Sequence, residues 1–428
     1  MRLLVLVLFA LLPLQWFGVV ATPLGQGRLH EIAMLGFAVV VLMRYGLATY
    51  APVLRTTRVF VIANLYMIAA IAAVAAYRGS TPTAALRQLI YLVIFMAVAG
   101  FFYRVASGRE PRVLGSLRFV AAVTCLSLLV GFSVAMIVNG VNPAAVFAKS
   151  IAAADPEIFQ KEVFKSAFAG FGLDEEAVKG NLRHEIFGCV LLSMLVSTWA
   201  MRVGGSPTSG QVFAYRAAMA LGLVWMTISL SRSILIAAAF WPLLAILRSS
   251  RRAELTTRQV GILFGFAAAT GVVLASGLSA VLVNRFVADT TGYEARAENY
   301  GGAFAAIPDH WLIGGFQTVG VSSHNFVVDT LLRDGVFAAV PAAAIVLTLL
   351  IVFGLMAMRL HRLSPALVPV VAALVLPLVR AVTSGGGLIP PVEWVALGFV
   401  GGVLAAWRLS TRTSAPAKQA PSLVGAGV

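Results

Sequence analysis

Apolar runs of about 20 residues recur from one end of this chain to the other, and no long globular stretch interrupts them. A helix of that length crosses the hydrocarbon layer of a bilayer. Lipid offers the backbone no hydrogen-bonding partners, so each such run is predicted to be a transmembrane helix. Charged residues make up only 11% of the chain, against about 25% in soluble domains. The sequence therefore predicts an all-α, polytopic transmembrane helical bundle.

Hydropathy divides the chain into about 12 predicted spans, with a retained first helix rather than a cleaved signal peptide. They form a single transmembrane domain over residues 1–408, and the Ser-, Ala- and Pro-rich tail over 409–428 is predicted to be disordered. The predicted spans are Leu3–Val20, Ile32–Met43, Val59–Ala76, Leu89–Phe102, Leu117–Val138, Ile186–Val203, Val212–Leu230, Ser233–Leu247, Gly261–Val283, Val336–Met358, Leu367–Val382 and Trp394–Trp407.

The charges in the loops predict how the bundle sits in the membrane. Arginines fill alternate short loops and most acidic residues fill the others, a distribution that places both termini and the tail in the cytoplasm. The net charge of +15 thus reflects membrane orientation, and a nucleic-acid partner is not expected. Two long loops, 139–185 and 284–335, are predicted to lie on the opposite, non-cytoplasmic side. The first is predicted to form short amphipathic helices at the interface, and the second to be irregular with short helices.

Arg232 is the first candidate for chemistry, because it lies between two spans without a loop of its own. A charge at the membrane boundary is costly if it faces lipid, so it is expected to face a wet cavity and to contact an anion. The competing interpretation is a structural arginine that extends its charge to the interface. In the second long loop, Arg285 and Arg296 are further candidates, although Arg296 has Glu294 and Glu298 as nearby ion-pair partners.

His324 follows the second long loop directly and opens an amphipathic helix that Ser322 or Ser323 is predicted to cap. A histidine there can act as a base near neutral pH, and a helix start suits an anion. Asn325 and His310 are expected to contact substrate beside it, as is Tyr300, while His184 is a lesser candidate on the same side. Arginines and a base together suit a lipid-linked diphosphate sugar, whose leaving group develops negative charge.

In its second half the chain resembles the O-antigen ligase and O-antigen polymerase family of bacterial envelope enzymes. The resemblance lies in the Ser231-Arg232 pair between two spans, Arg296 in a long outer loop, the Ile307-Pro308…Gly314-Gly315 stretch, and His324-Asn325…Leu331…Asp334-Gly335 before a span. This chain departs from the pattern at Ser233, where such families often have glycine.

The resemblance implies a glycosyltransferase of the bacterial inner membrane. It would move a glycan from undecaprenyl diphosphate to an acceptor hydroxyl on the periplasmic face, with inversion and without a metal or other cofactor. Arg232 and Arg296 would contact the diphosphate, with Arg285 as the alternative loop arginine, and His324 would help to activate or orient the acceptor. Asp155 and Glu157 form an acid-x-acid pair of the kind that metal-dependent membrane glycosyltransferases use, but a metal is not expected.

Several functions remain open at this point. A ligase would use lipid A-core as acceptor, whereas a polymerase would lengthen O-antigen, capsule or exopolysaccharide repeats. A polysaccharide or lipid transporter or flippase would show charges deep in its spans and an internal repeat. A structural membrane protein is the remaining class. The two cysteines, Cys125 and Cys189, lie in apolar runs and predict neither a disulfide framework nor a zinc site.

Overall fold

The structure is a computed structural model. It describes residues 1–15, 19–22, 25–153, 158, 161–162, 165–166, 175–229, 231–250, 291–316, 323, 325–383 and 391–413. Within these ranges, the side chains of 19–28, 151, 175–183, 232, 249–250, 291–296, 383 and 412–413 are not described.

The described part of the chain is built almost entirely of helices. In chain order they are α1 (Arg2–Leu11), α2 (Leu29–Arg44), α3 (Leu47–Tyr77), α4 (Thr83–Ala106), α5 (Pro111–Leu117), α6 (Val120–Val138), α7 (Pro143–Ala152), α8 (Glu175–Arg202), α9 (Ser209–Ser229), α10 (Arg232–Ser250), α11 (Thr291–His310), α12 (Phe326–Asp334), α13 (Val336–Met358), α14 (Val368–Ala373), α15 (Val375–Thr383) and α16 (Pro391–Thr413). Short 3₁₀ turns at Leu360–Arg362 and Pro365–Leu367 precede α14.

Eight segments of the described chain are long and apolar enough to cross a membrane. They are Leu47–Tyr77, Thr83–Ala106, Val120–Val138, His184–Arg202, Ser209–Ser229, Val336–Met358, Pro365–Val382 and Pro391–Thr411, and each overlaps one predicted span. The membrane class is therefore confirmed, with eight candidate spans where the sequence predicts about 12. Of the other four predictions, two correspond to the shorter apolar helices Arg2–Leu11 and Ser233–Arg248 and one to the 16-residue α2. The last, Gly261–Val283, lies outside the described residues.

The prediction of a first span over Leu3–Val20 is wrong, because α1 ends at Leu11. Pro13 has no N–H with which to continue the helical ladder, and its ring disfavours continuation. The 10 residues of α1 rise only about 15 Å, half the thickness of the hydrocarbon layer. The chain then forms an antiparallel hairpin of β1 (Val19–Thr22) and β2 (Gly25–Arg28), so the described residues are all-α except for two four-residue strands.

Helices α16 and α4 pack closely against each other, and this contact depends on glycine. A Cβ on Gly398 would lie 2.7 Å from Cβ of Val98, and one on Gly402 would overlap the carbonyl oxygen of Ala99. Small residues four positions apart let two membrane helices approach to backbone contact. Aromatic side chains fill the space around this contact, among them Trp394, which stacks on the ring of Tyr91 with centroids 6.0 Å apart.

Basic residues converge at one end of the bundle, which we call the Arg104 end. It comprises Arg104 at the end of α4, Arg118 between α5 and α6, Arg202 at the end of α8 and Arg248 near the end of α10. Contacts across the helices join them: Arg118 bonds the carbonyls of Ala200, Val203 and Gly205, while Arg202 and Arg248 bond those of Pro365 and Leu363. The sequence assigns Arg104, Arg202 and Arg248 to cytoplasmic loops.

The opposite end, which we call the His184 end, carries His184, Ser233, Arg380 and Glu393 together with the start of α13. The long segment before α13 contains more helix than the sequence predicts. It includes the 20-residue α11 and the nine-residue α12. Similarly, α16 continues to Thr413, five residues into the stretch predicted to be disordered from 409.

Candidate functional site

One imidazole joins three helices at the His184 end. Nδ1 of His184 in α8 lies 2.7 Å from Oγ of Ser233 in α10, and its Nε2 lies 3.2 Å from Oε1 of Glu393 in α16. His184 and Glu393 are 2% and 0% exposed, and Ser233 is half-buried. The Oγ atoms of Ser233 and Ser231 lie 3.1 Å apart. A hydrogen-bonded chain therefore leads from the buried carboxylate of Glu393 to the residue before Arg232.

Local structure explains why these side chains meet. Ser233 lies in the first turn of α10, and Glu393 in the first turn of α16, where a carboxylate is stabilised by the positive end of the helix dipole. The backbone N–H of Ser231 donates to Oγ of Ser229, which orders the turn between α9 and α10. His184 begins the apolar part of α8 and so lies at the level where α10 and α16 begin.

A second charged pair lies beside the first. The guanidinium of Arg380 in α15 is 3.6 Å from Oε1 of Glu185, and Arg380 is 2% exposed. Its Nε and one terminal nitrogen have no hydrogen-bond partner in the described chain, nor have Oε2 of Glu393 and Oε1 of Gln15. Buried polar groups of a purely structural network normally satisfy one another. The described chain therefore leaves several buried donors and acceptors of this group unsatisfied.

The two glycine stretches of the family resemblance contact each other in the structure. The N–H groups of Gly315 and Phe316 donate to the carbonyls of Arg333 and Leu332, each at 3.0 Å. Gly314 and Gly335 have φ angles of +70° and +81°, which side-chain-bearing residues rarely adopt. A Cβ on Gly314 would lie 2.5 Å from the carbonyl of Arg333. Glycine is therefore required where the segment after α11 crosses the end of α12. We call this contact the glycine crossing.

Arg78, just after α3, holds this crossing in place. Its guanidinium donates to the carbonyls of Arg333, at 3.0 Å, and Ile313. Arg78 thus connects both segments of the crossing to the end of α3, which is a candidate span. This connection orients α12 relative to the bundle.

Asn325, not Ser322 or Ser323, caps α12, so the predicted cap is wrong. Its side-chain oxygen accepts from the N–H groups of Val327 and Val328. Ser323 instead bonds the carboxylate of Asp329 through its N–H and its hydroxyl, at 2.8 and 2.7 Å. Asn and Asp are among the strongest N-cap residues, and the cap orients the chain that leaves His324. The amide nitrogen of Asn325 is the part of its side chain that the cap does not use.

Helix α15 brings the two motif-bearing segments together. It packs against α10, which opens with Arg232, and against α12, which Asn325 caps. It also carries Arg380. Both motif-bearing helices, α10 and α12, therefore contact this one short helix.

Of the predicted arginines and His324, the structure describes only the backbone of Arg232 and Arg296. Arg232 is the first residue of α10 and Arg296 lies in α11, but neither side chain is described. Arg285 and His324 lie outside the described residues, as do Asp155 and Glu157.

Tyr300 and His310 both belong to α11. Tyr300 is half-buried and stacks on Phe304 with centroids 6.3 Å apart. His310 ends the helix, with Nδ1 3.3 Å from the carbonyl oxygen of Gly314 and its ring 5.4 Å from that of Phe316. Both contacts are local, and the His310 contact supports the glycine crossing.

In the sequence, His184 is only a lesser candidate site residue, and Glu393 and Arg380 are not among the candidates. A signal was available, because ionisable residues inside apolar spans are costly and are functional candidates by default. Arg380 interrupts the predicted span Leu367–Val382, and Glu393 directly precedes another. Their convergence on His184 could not be foreseen, since 209 positions separate His184 from Glu393.

A cavity of about 460 Å³ opens at the other end of the bundle, between the ends of α4, α8 and α16. Trp199, Trp407 and Arg109 line it. It therefore takes no part in the arrangement around His184. In the described chain, no group of three or more His, Cys, Asp and Glu side chains is arranged to hold a metal ion.

Comparison with protein-family models finds none that matches this chain, and comparison with curated proteins finds no significant match.

Proposed function

We propose that this protein is a membrane glycosyltransferase that moves a glycan from undecaprenyl diphosphate to an acceptor hydroxyl on the periplasmic face of a bacterial inner membrane. The proposed type is an O-antigen ligase, with lipid A-core as acceptor. In this proposal both termini and the Arg104 end face the cytoplasm, and the His184 end faces the periplasm.

The observation that carries the proposal is the arrangement around α15. The helix that opens with Arg232 and the helix that follows His324 both pack on it, at the end of the bundle where His184, Glu393 and Arg380 are buried. A diphosphate-sugar transferase needs cations and a proton acceptor at one membrane face. His184, Glu393 and Arg380, which are far apart in sequence, lie at one end of the bundle, and this supports the proposal.

In the proposed reaction, the acceptor oxygen attacks the anomeric carbon from the face opposite the diphosphate. The acceptor loses its hydroxyl proton to a base, and the bond from the anomeric carbon to the diphosphate oxygen breaks with its electron pair leaving on the diphosphate. Arg232 and Arg296 stabilise that charge, since a guanidinium contacts two oxygens at once and stays protonated. His324 helps to activate or orient the acceptor hydroxyl.

The test is glycan transfer by purified protein in nanodiscs, with an undecaprenyl-diphosphate-linked glycan and lipid A-core. Arg232→Ala is expected to lower the transfer rate by about 100-fold or more, the usual effect of losing one charge-stabilising group. Arg359→Ala is the matched control, because Arg359 is an exposed arginine at the end of α13 away from the site. Equal activity of both variants and wild type would remove Arg232 from the mechanism.

The acceptor separates the ligase from the polymerase. Transfer to lipid A-core supports the ligase, whereas lengthening of the lipid-linked glycan without lipid A-core supports a polymerase for O-antigen, capsule or exopolysaccharide.

One observation favours a transporter as the second candidate. His184, Glu393 and Arg380 are buried inside candidate spans, as protonatable and ion-binding groups are in transporters. Sealed vesicles containing the purified protein distinguish the two functions. Movement of a lipid-linked glycan across the bilayer, without formation of a new glycosidic bond and with Arg232 and His324 dispensable, would replace the glycosyltransferase proposal.

A further inference from the structure

A chain of hydrogen bonds at the His184 end has the polarity of a proton relay. The carboxylate of Glu393 can only accept a hydrogen bond, so the neutral imidazole of His184 donates to it through Nε2. Nδ1 is then left as an acceptor, and Ser233 is the hydroxyl 2.7 Å away that donates to it. Because the Ser233 proton is donated to Nδ1, Ser231, 3.1 Å away, donates to the Ser233 oxygen and leaves it one lone pair for a proton arriving from the substrate.

The position of these hydrogen bonds links them to the proposed donor site. Ser231 and Ser233 flank Arg232, the residue proposed to contact the diphosphate. Ser233 is half-buried, while His184 and Glu393 are almost completely inaccessible, so a proton that enters at Ser233 is carried away from solvent. Ser233 stands where such families often have glycine, and it supplies the hydroxyl that reaches His184.

Charged groups of both signs lie around the imidazole of His184. Glu393 contacts it directly, Glu185 is its neighbour in α8, and Arg380 is close enough to interact with it electrostatically. Cys189, one turn along α8, donates to the carbonyl of Glu185. The two carboxylates can balance both an imidazolium and the Arg380 guanidinium. The second oxygen of Glu393 has no partner in the described chain, so the carboxylate is not saturated by structural contacts.

We propose that Ser233, His184 and Glu393 form the relay that takes up the proton of the acceptor hydroxyl, an inference that rests on the proposed function. The acceptor O–H proton passes to Oγ of Ser233 as the proton of Ser233 passes to Nδ1 of His184. The acceptor oxygen bonds the anomeric carbon, and the diphosphate leaves with the electron pair of the broken bond. His184 becomes an imidazolium paired with Glu393, and its proton returns to solvent after the products leave. Ser233 touches the substrate, His184 and Glu393 act through it, and His324 orients the acceptor.

The first test uses wild-type protein alone, so it does not depend on the folding of a variant. Single-turnover transfer in nanodiscs is measured in mixtures of light and heavy water. Two protons move together in the relay, so the rate is expected to depend on the deuterium fraction as a quadratic function. A linear dependence means that one proton moves, and it would overturn the relay. If wild-type protein transfers no glycan to any acceptor, the proposed function fails, which is a different outcome from an active enzyme with a linear dependence.

The second test compares the pH dependence of transfer between about pH 5 and 9. Wild-type protein is expected to reach a plateau once His184 is neutral. In His184→Gln and Ser233→Ala the rate is expected to fall about 100-fold and to keep rising with pH, because hydroxide replaces the base. Glu393→Gln is expected to move the pH at which the plateau begins. Ser127→Ala is the matched control, since that half-buried hydroxyl bonds its own helix at Thr124.

A purely structural role predicts another pattern. Variants would then lose activity in proportion to a fall in melting temperature and would keep the wild-type pH profile. That result would overturn the relay. The relay would also be overturned if His184→Gln kept the wild-type pH profile of transfer while His324→Gln lost the pH plateau.

Discussion

Arg118 shows at the residue scale how a single buried cation holds the Arg104 end together. It is 7% exposed, and its guanidinium donates to the carbonyl of Ala200 at 3.1 Å, to the side chain of Gln211 at 3.0 Å and to the carbonyls of Val203 and Gly205. These bonds use the planar fork of arginine in several directions at once, which an ammonium cannot reproduce.

Arg118→Lys is therefore expected to destabilise the protein by about 1–3 kcal/mol, because the buried carbonyl of Ala200 and the part-buried acceptors near it lose their donors. The matched control is Arg112→Lys, since Arg112 is an exposed arginine one element earlier. Thermal unfolding in detergent measures both. Equal melting temperatures for the two variants would contradict the role assigned to Arg118.

Asn325 allows a cap to be separated from a substrate contact. Asn325→Ala is expected to cost about 1 kcal/mol of stability through loss of the cap, whereas Asn325→Asp retains a capping oxygen and the stability. The aspartate lacks the amide nitrogen, so the predicted substrate contact through that nitrogen would show as lost transfer activity at unchanged melting temperature. Full activity of Asn325→Asp would restrict Asn325 to its capping role.

Tyr45 gives a pH dependence that is independent of the proposed site. It lies between α2 and α3 and donates to Oε1 of Glu110 at 3.3 Å. Burial, with a further contribution from the charge of Glu110, raises the pKa of Tyr45 to about 12. The protonated phenol therefore contributes stability that is fully present below about pH 10 and is lost as the pH rises towards 12. Tyr45→Phe is expected to show a shallower loss of melting temperature over this range, and parallel curves would contradict the assignment.

At the scale of elements, the contact of α4 with α16 leaves no room for larger side chains at its glycines. Gly402→Ala places a methyl group against the backbone of α4 at Ala99 and is expected to cost about 2 kcal/mol or more as the helices separate. Gly354→Ala in α13 is the control, because a Cβ there meets nothing within 4 Å. Melting temperatures in detergent compare them, and equal stability of both variants would show that α4 and α16 do not pack through glycine.

The glycine crossing at the end of α12 explains why the motif residues of the resemblance occur in this order. Gly314 and Gly335 are required by the backbone, not by chemistry, and they set where α12 ends relative to α13. The same stretch was expected to be largely irregular. Its helices α11 and α12 contain many polar residues, so hydropathy gave no signal for them, and α12 gains its stability mainly from packing on α13 and α11.

At the scale of the whole molecule, hydropathy predicts what depends on local composition. The eight candidate spans were predicted because each is a continuous apolar run. The first span was wrong because a single proline outweighs the hydropathy that continues past it. The buried group around His184 was not predicted, because 49 positions separate His184 from Ser233 and 209 separate it from Glu393. Pairs at that separation depend on tertiary packing, which a sequence pattern does not record.

The orientation of the whole bundle decides whether the proposed reaction is possible, because the donor and acceptor meet on the periplasmic face. Two exposed serines report on the two ends: Ser80 follows α3 at the His184 end, and Ser206 follows α8 at the Arg104 end. Both native cysteines are buried and give a low background for thiol labelling. In spheroplasts, Ser80→Cys is expected to react with a membrane-impermeant maleimide, and Ser206→Cys only after the membrane is permeabilised. The reverse pattern would place the His184 end in the cytoplasm and would exclude a periplasmic glycan transfer there.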